Sequence, residues 1–100
     1  MIERHVYIRL KPEHKSERAA MAEHAQRALA RIPGVISVLA GTPADEHADH
    51  AWDFCLTLRF ASTADVEAYR VHPDHRRYVD EDLAPRMQVI KAWNFEVREA

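Results

Sequence analysis

Between Trp52 and Phe60 the chain alternates without a break, with Trp52, Phe54, Leu56, Leu58 and Phe60 on one side and Asp53, Cys55, Thr57 and Arg59 on the other. Successive side chains of an extended strand point to opposite faces, so this stretch predicts a strand whose one wholly apolar face must be covered. Three further runs behave alike. Val6, Ile8 and Leu10 alternate with His5, Tyr7 and Arg9. Val35 to Ala40 is rich in β-branched residues and is bounded by Gly41 and Pro43. From Met87 to Val97 the last run carries Val89, Trp93, Phe95 and Val97 on one face and Ile90 and Ala92 on the other.

The segments between these runs have helical signals. Pro12 opens a charged, Ala-rich stretch through Arg31 in which Met21, Ala25, Leu29 and Ile32 recur at helical spacing. Pro33-Gly34 stops it. Residues 43–50 read as a polar loop. Ser62, followed by Asp65, approximates a capping box for a helix carrying Val66 and Tyr69. That helix must break near His72, because a proline disfavours the α conformation in the residue before it. A second helical piece restarts at Asp74 and runs towards Leu83.

The resulting order is βαββαβ, which predicts an α+β, ferredoxin-like fold: a four-stranded antiparallel sheet with the helices on one face. Strand four is apolar on both sides, so the face without helices needs a cover of its own. Two such sheets packed face to face supply it, and the prediction is a homodimer, a dimeric α+β barrel, with Tyr7, Val89, Trp93, Phe95 and Val97 at the interface.

Length and charge narrow the function. One hundred residues predict a single domain over residues 1–100. Fourteen Lys and Arg against sixteen Asp and Glu leave a formal charge of -2, so no positive field attracts a phosphate backbone and nucleic acid is not expected as a partner. The single Cys55 has no internal disulfide partner, no signal peptide precedes the first strand, and no apolar run approaches the roughly 20 residues that cross a bilayer. These features predict a cytoplasmic protein without membrane contact. No glycine-rich phosphate loop, Ser-His-Asp order or dinucleotide fingerprint is present. Two histidine pairs, His47-x-x-His50 and His72-x-x-His75, have i,i+3 spacing. The first sits in the polar loop and Pro73 spoils the helical spacing of the second, so neither a metal site nor any cofactor is expected.

The opening Arg4-His5-Val6 strand ending in Lys11-Pro12-Glu13, the Ile32-Pro33-Gly34-Val35 stop, the Tyr69-x-x-His72-Pro73-x-His75 segment and the closing Trp93-Asn94-Phe95-Glu96-Val97 strand resemble the stress-responsive A/B barrel (Dabb) family over essentially the whole chain. The resemblance implies a dimeric α+β barrel. It extends distantly to the plant olivetolic acid cyclase, which closes a linear polyketide, and also to a boiling-stable plant stress protein for which no chemistry is implied. The resemblance thus implies two functions: a homodimer that binds a small apolar ligand or acts in stress response without catalysis, or a small cofactor-free acid/base enzyme of the cyclase, isomerase or lyase kind.

For the second, the resemblance carries over His75 as general base and Tyr69 as the phenol that hydrogen-bonds an enolate oxygen. An imidazole titrates near neutrality, which suits proton removal beside a carbonyl. His72 is expected to fix the turn through a ring hydrogen bond to backbone. His5 is the third candidate. Counted from the amino end it occupies the family's strand-one histidine, but counted back from Lys11-Pro12-Glu13 that position falls to Arg4. Phe54 stands where the cyclase has a histidine, which argues against identical polyketide chemistry. The ligand, apolar or carbonyl-containing, would lie between Val6, Ile8, Met21, Leu29, Phe54, Leu56, Ile90 and Ala92.

Overall fold

Four strands, β1 (Ile2–Leu10), β2 (Ser37–Gly41), β3 (Phe54–Phe60) and β4 (Met87–Glu96), form one antiparallel sheet in the order β2-β3-β1-β4 in the computed structural model, which describes residues 1–100. The fold is ferredoxin-like. In the central strand β1, Val6 stands opposite Leu56 of β3 and Ala92 of β4, and Ile8 stands opposite Phe54 and Ile90. Pleating sends these residues to the same side. There Ile2, Val6, Ile8 and Leu10 join Phe54, Leu56, Leu58 and Phe60 in the buried core.

The helices cover that side. A 3-10 segment, Pro12–Glu17, leads into α1 (Arg18–Ala30), which buries Ala22, Ala25 and Leu29, with Ile32 just beyond its end. Met21 is only partly buried. Gly34 reverses the chain with φ of 91°, a conformation that a side chain would strain. The following strand starts at Ser37 rather than Val35.

Three expectations around the third strand need correction. The stretch expected to be a polar loop contains a short helix, α2 (Glu46–Ala51), whose cap Asp45 accepts the Ala48 N–H at 2.9 Å. Because this helix ends at Trp52, the alternation of β3 begins only at Phe54. The Trp52 ring lies 5.7 Å from that of Tyr7 and 5.8 Å from the Arg9 guanidinium, on the outer face of the sheet rather than with Phe54. Asp53, which alternation alone sends outward, is 2% exposed. Its carboxylate accepts from the Leu10 N–H at 2.7 Å and from Lys15 Nζ at 2.8 Å, tying β1 to the 3-10 segment.

After β3 the Ser62 hydroxyl caps α3 (Thr63–Val71) by accepting the Asp65 N–H at 3.2 Å. His72 is extended, with φ of -62° and ψ of 138°, and Pro73 opens α4 (Pro73–Arg77). A π-helical turn, Tyr78–Leu83, completes this arm. No helix is long and apolar enough to cross a membrane.

The opposite face of the sheet is not covered by α1, α3 or α4; α2 meets it at the Arg9 end, where the Ala51 carbonyl accepts from Arg9 Nη2 at 2.7 Å. Trp93 and Phe95 are each 50% exposed there, and Leu39 of β2 is 67% exposed. Tyr7 and Val89 share this face, and Val97 continues past β4 with its N–H bonded to the Met1 carbonyl at 3.0 Å. Glu3 crosses the same surface, accepting from Arg59 Nε at 3.1 Å and bonded to His5 Nε2 at 2.7 Å.

Candidate functional site

The break at His72 is what builds the site. His72 Nδ1 accepts the Asp74 N–H at 3.1 Å, fixing the bend and aiming α4 back over the end of α3. The imidazole of His75 thereby comes to lie 4.4 Å from the ring of Tyr69, centroid to centroid. Tyr69 in turn meets the edge of Phe60 at 5.1 Å, so the pair is seated on the core.

His75 Nδ1 is 2.9 Å from the Arg70 carbonyl oxygen. A carbonyl can only accept, so Nδ1 carries the proton and Nε2 is left with its lone pair. Burial holds the His75 pKa below its ordinary value, outweighing the backbone bond that favours the charged form; the Arg4 and Arg70 charges lower it further. At neutral pH the ring is an uncharged base. Burial pushes the Tyr69 phenol well above its usual range, so Tyr69 remains a proton-bearing donor.

Both rings border a cleft of about 190 Å³ between the sheet and the α4 arm. Val6, Ile8, Leu29, Leu56, Ile90 and Ala92 line it, together with Val79 and Leu83 from the π-helical turn. The polar groups, Arg4, Tyr69, Arg70, His75 and Tyr78, are few against these walls. Such a cleft desolvates an apolar ligand and orients it through a small number of contacts.

Three residues expected at the site stand elsewhere. His5 projects from the other face of the sheet, where its ring lies 5.3 Å from that of Phe95. The reason is parity: β1 alternates without interruption from Ile2, and the irregularity in its pairing with β4 falls between Arg9 and Leu10, too late to turn His5 inward. Arg4 therefore takes the cleft position. Met21 borders a separate groove of about 200 Å³ with Glu17, His24 and Asp82, because α1 turns Ala22 and Ala25 rather than Met21 to the sheet. Phe54 is packed into the core and touches a different depression beside Tyr7 and Trp52.

The profile of the stress responsive A/B barrel domain matches residues 2–97. The chain belongs to the stress responsive A/B barrel domain family. This Dabb chain is also similar to solved structures. A Dabb family protein with a ferredoxin-like fold from Mesorhizobium loti is 23% identical with a TM-score of 0.80, the match covering 98% of this chain and 97% of that one. A dimeric protein of unknown function with a ferredoxin-like fold from Bacteroides fragilis is 21% identical with a TM-score of 0.78, covering 96% and 95%. A dimeric ferredoxin-like protein of unknown function from Thermobifida fusca is 21% identical with a TM-score of 0.73, covering 96% and 90%. No curated protein sequence matches.

Four cleft residues of the Dabb chain, Arg70, Tyr78, Val79 and Leu83, are not among those the sequence points to. Tyr78 follows His75 by three positions, one helical turn on, and that spacing was the available signal. Its hydroxyl is buried without a hydrogen-bond partner.

Proposed function

We propose that this Dabb protein is a homodimer in which each chain binds a small, mainly apolar, carbonyl-bearing molecule in the cleft beside Tyr69 and His75. The observation that carries the reading is the cleft itself: about 190 Å³ of space with predominantly apolar walls and its polar groups limited to five side chains. Sites for small molecules are concave and mainly apolar, with a few polar groups that orient the ligand, and this cleft has that make-up.

Dimerisation is supported by the uncovered sheet face. Trp93 and Phe95 at 50% exposure and Leu39 at 67% present more apolar surface than an isolated small domain ordinarily leaves wet. Two of the similar structures are described as dimeric. Tyr7, Val89, Trp93, Phe95 and Val97 would then meet the same surface of a second copy.

A second reading, cofactor-free acid/base catalysis, is favoured by one observation: the free lone pair of His75 Nε2 beside a phenol that keeps its proton. His75 Nε2 would take a proton from carbon adjacent to the ligand carbonyl. The C–H electron pair would pass into the enolate, whose oxygen Tyr69 would stabilise by donating a hydrogen bond, and the imidazolium would return the proton to carbon.

Incubation with 4-methylacetophenone in deuterated water tests both readings. Shifts of the Ile8, Leu56 and Ile90 methyl resonances report binding, and deuterium gain at the ketone methyl reports proton transfer. Binding with exchange, reduced about 100-fold in His75→Ala and by a smaller factor in Tyr69→Phe, supports catalysis. Binding without exchange supports the ligand-binding reading alone, and unmoved methyl resonances up to millimolar ketone would reject the cleft as a site for such ligands.

A further inference from the structure

The cleft has one charged end that the protein leaves unanswered. Four arginines are partly buried: Arg4, Arg18, Arg59 and Arg86. Three of them face a carboxylate, Arg18 on Asp49, Arg59 on Glu3 and Arg86 on Glu17. Arg4, which lines the cleft, does not. It spends one N–H on Asn94 Oδ1 at 2.9 Å, and a guanidinium carries five.

The neighbouring acids are engaged elsewhere. Glu67 pairs with Arg70 at 3.0 Å. Glu3 projects from the other sheet face towards His5 and Arg59. Tyr69 and His75, the remaining polar groups at this end, are both uncharged at neutral pH. A half-buried cation with no carboxylate of its own, set beside uncharged rings, favours an anion arriving from outside.

We propose that Arg4 anchors a carboxylate on the ligand, so that the cleft selects an acid with a compact apolar body over a neutral molecule of the same shape. This rests on the reading of the cleft as a ligand site and narrows it. The apolar body lies along Val6, Leu56, Ile90 and Ala92, and the carboxylate accepts from the fork of Arg4. Cavities of about 150 Å³ in other proteins accept benzene. A cleft of about 190 Å³ therefore has room for one substituted ring or a chain of similar bulk.

Titration calorimetry with 4-ethylbenzoate and 4-ethylbenzamide, which share a body and differ in charge, tests this. The dimer as purified binds the acid at least about tenfold more tightly than the amide at low salt. Arg4→Gln abolishes that preference, and a cooperative thermal transition reports that the variant is folded. Arg4→Lys, which keeps the charge without the fork, retains part of the preference and decides the matter if the glutamine variant does not fold. Equal binding of acid and amide by the unaltered protein overturns the carboxylate assignment while the cleft reading stands, as does a preference that survives in Arg4→Gln or is undiminished in Arg4→Lys. If neither compound binds, the cleft reading fails and takes this assignment with it.

Discussion

Arg4 and His5, adjacent in the chain, project from opposite faces of the sheet: Arg4 stands opposite Asn94 on the cleft side and His5 opposite Trp93 on the uncovered side. Substituting His5 therefore acts on association and not on the cleft. His5→Ala removes the ring contact with Phe95 and the bond to Glu3. It is expected to weaken the dimer several-fold while ligand affinity stays within about twofold. Sedimentation velocity reads the first and calorimetry the second; a lost ligand affinity with intact dimers would reverse the assignment.

Trp93→Asp should be more severe. A large aromatic at the centre of a dimer face contributes about 2 kcal/mol or more, at least about 30-fold in the dissociation constant. Micromolar Trp93→Asp should sediment as a single chain where the unaltered protein sediments as two. A well-folded single chain from the unaltered protein at the same concentration would end the proposal of a homodimer.

His75 should titrate below the ordinary histidine value of 6.5, because burial disfavours its charged form. Above the unfolded-state pKa both states are neutral and the group contributes no pH dependence. As pH falls below it, the unfolded chain takes up a proton that the folded chain resists, so stability is lost until pH passes the lowered folded pKa. Nuclear magnetic resonance of the imidazole gives the midpoint directly, and His75→Gln should flatten the stability profile in the window just below 6.5. A midpoint at or above that value would contradict the neutral, Nε2-basic ring.

Tyr78→Phe is expected to stabilise the protein. The hydroxyl it removes is buried with no partner, and an unsatisfied buried donor costs about 1–3 kcal/mol. A gain near 1 kcal/mol would raise the thermal midpoint of a chain this small by about 4–8 °C. A loss on urea denaturation would reveal that the hydroxyl has a partner after all.

Asp53→Ala should cost about 2–4 kcal/mol, since it strands the Leu10 N–H inside the protein and frees Lys15 from its shortest ion pair. The loss should appear in denaturation and leave the acid-over-amide preference of the cleft unchanged, because Asp53 lies at the far end of β1 from Arg4. A selective loss of ligand binding without loss of stability would show that Asp53 serves the site.

The strands, the helix breaks and the hydrogen-bonded bend at His72 were legible in the chain because each arises from neighbours along it. Pleating makes Val6, Ile8 and Leu10 share a face, Ser62 caps the helix that begins at Thr63, and Pro73 forces His72 out of the helix whatever surrounds them. The apolar alternation of β1 already favoured Arg4 over His5 for the inner face, and an unbroken strand settled it. Other features have no local cause. Trp52 left the apolar face because α2 ends there, Asp53 was buried because Leu10 and Lys15 come to it from distant positions, and Met21 missed the cleft because α1 rotates its alanines onto the sheet. The cleft, the unpaired Arg4 and the orphaned Tyr78 hydroxyl exist only as the remainder left when the arm from α3 to the π-helical turn is laid across β1 and β4. Periodicity is a property of consecutive residues, whereas unfilled space and unmatched charge belong to the packing of segments that the chain keeps far apart.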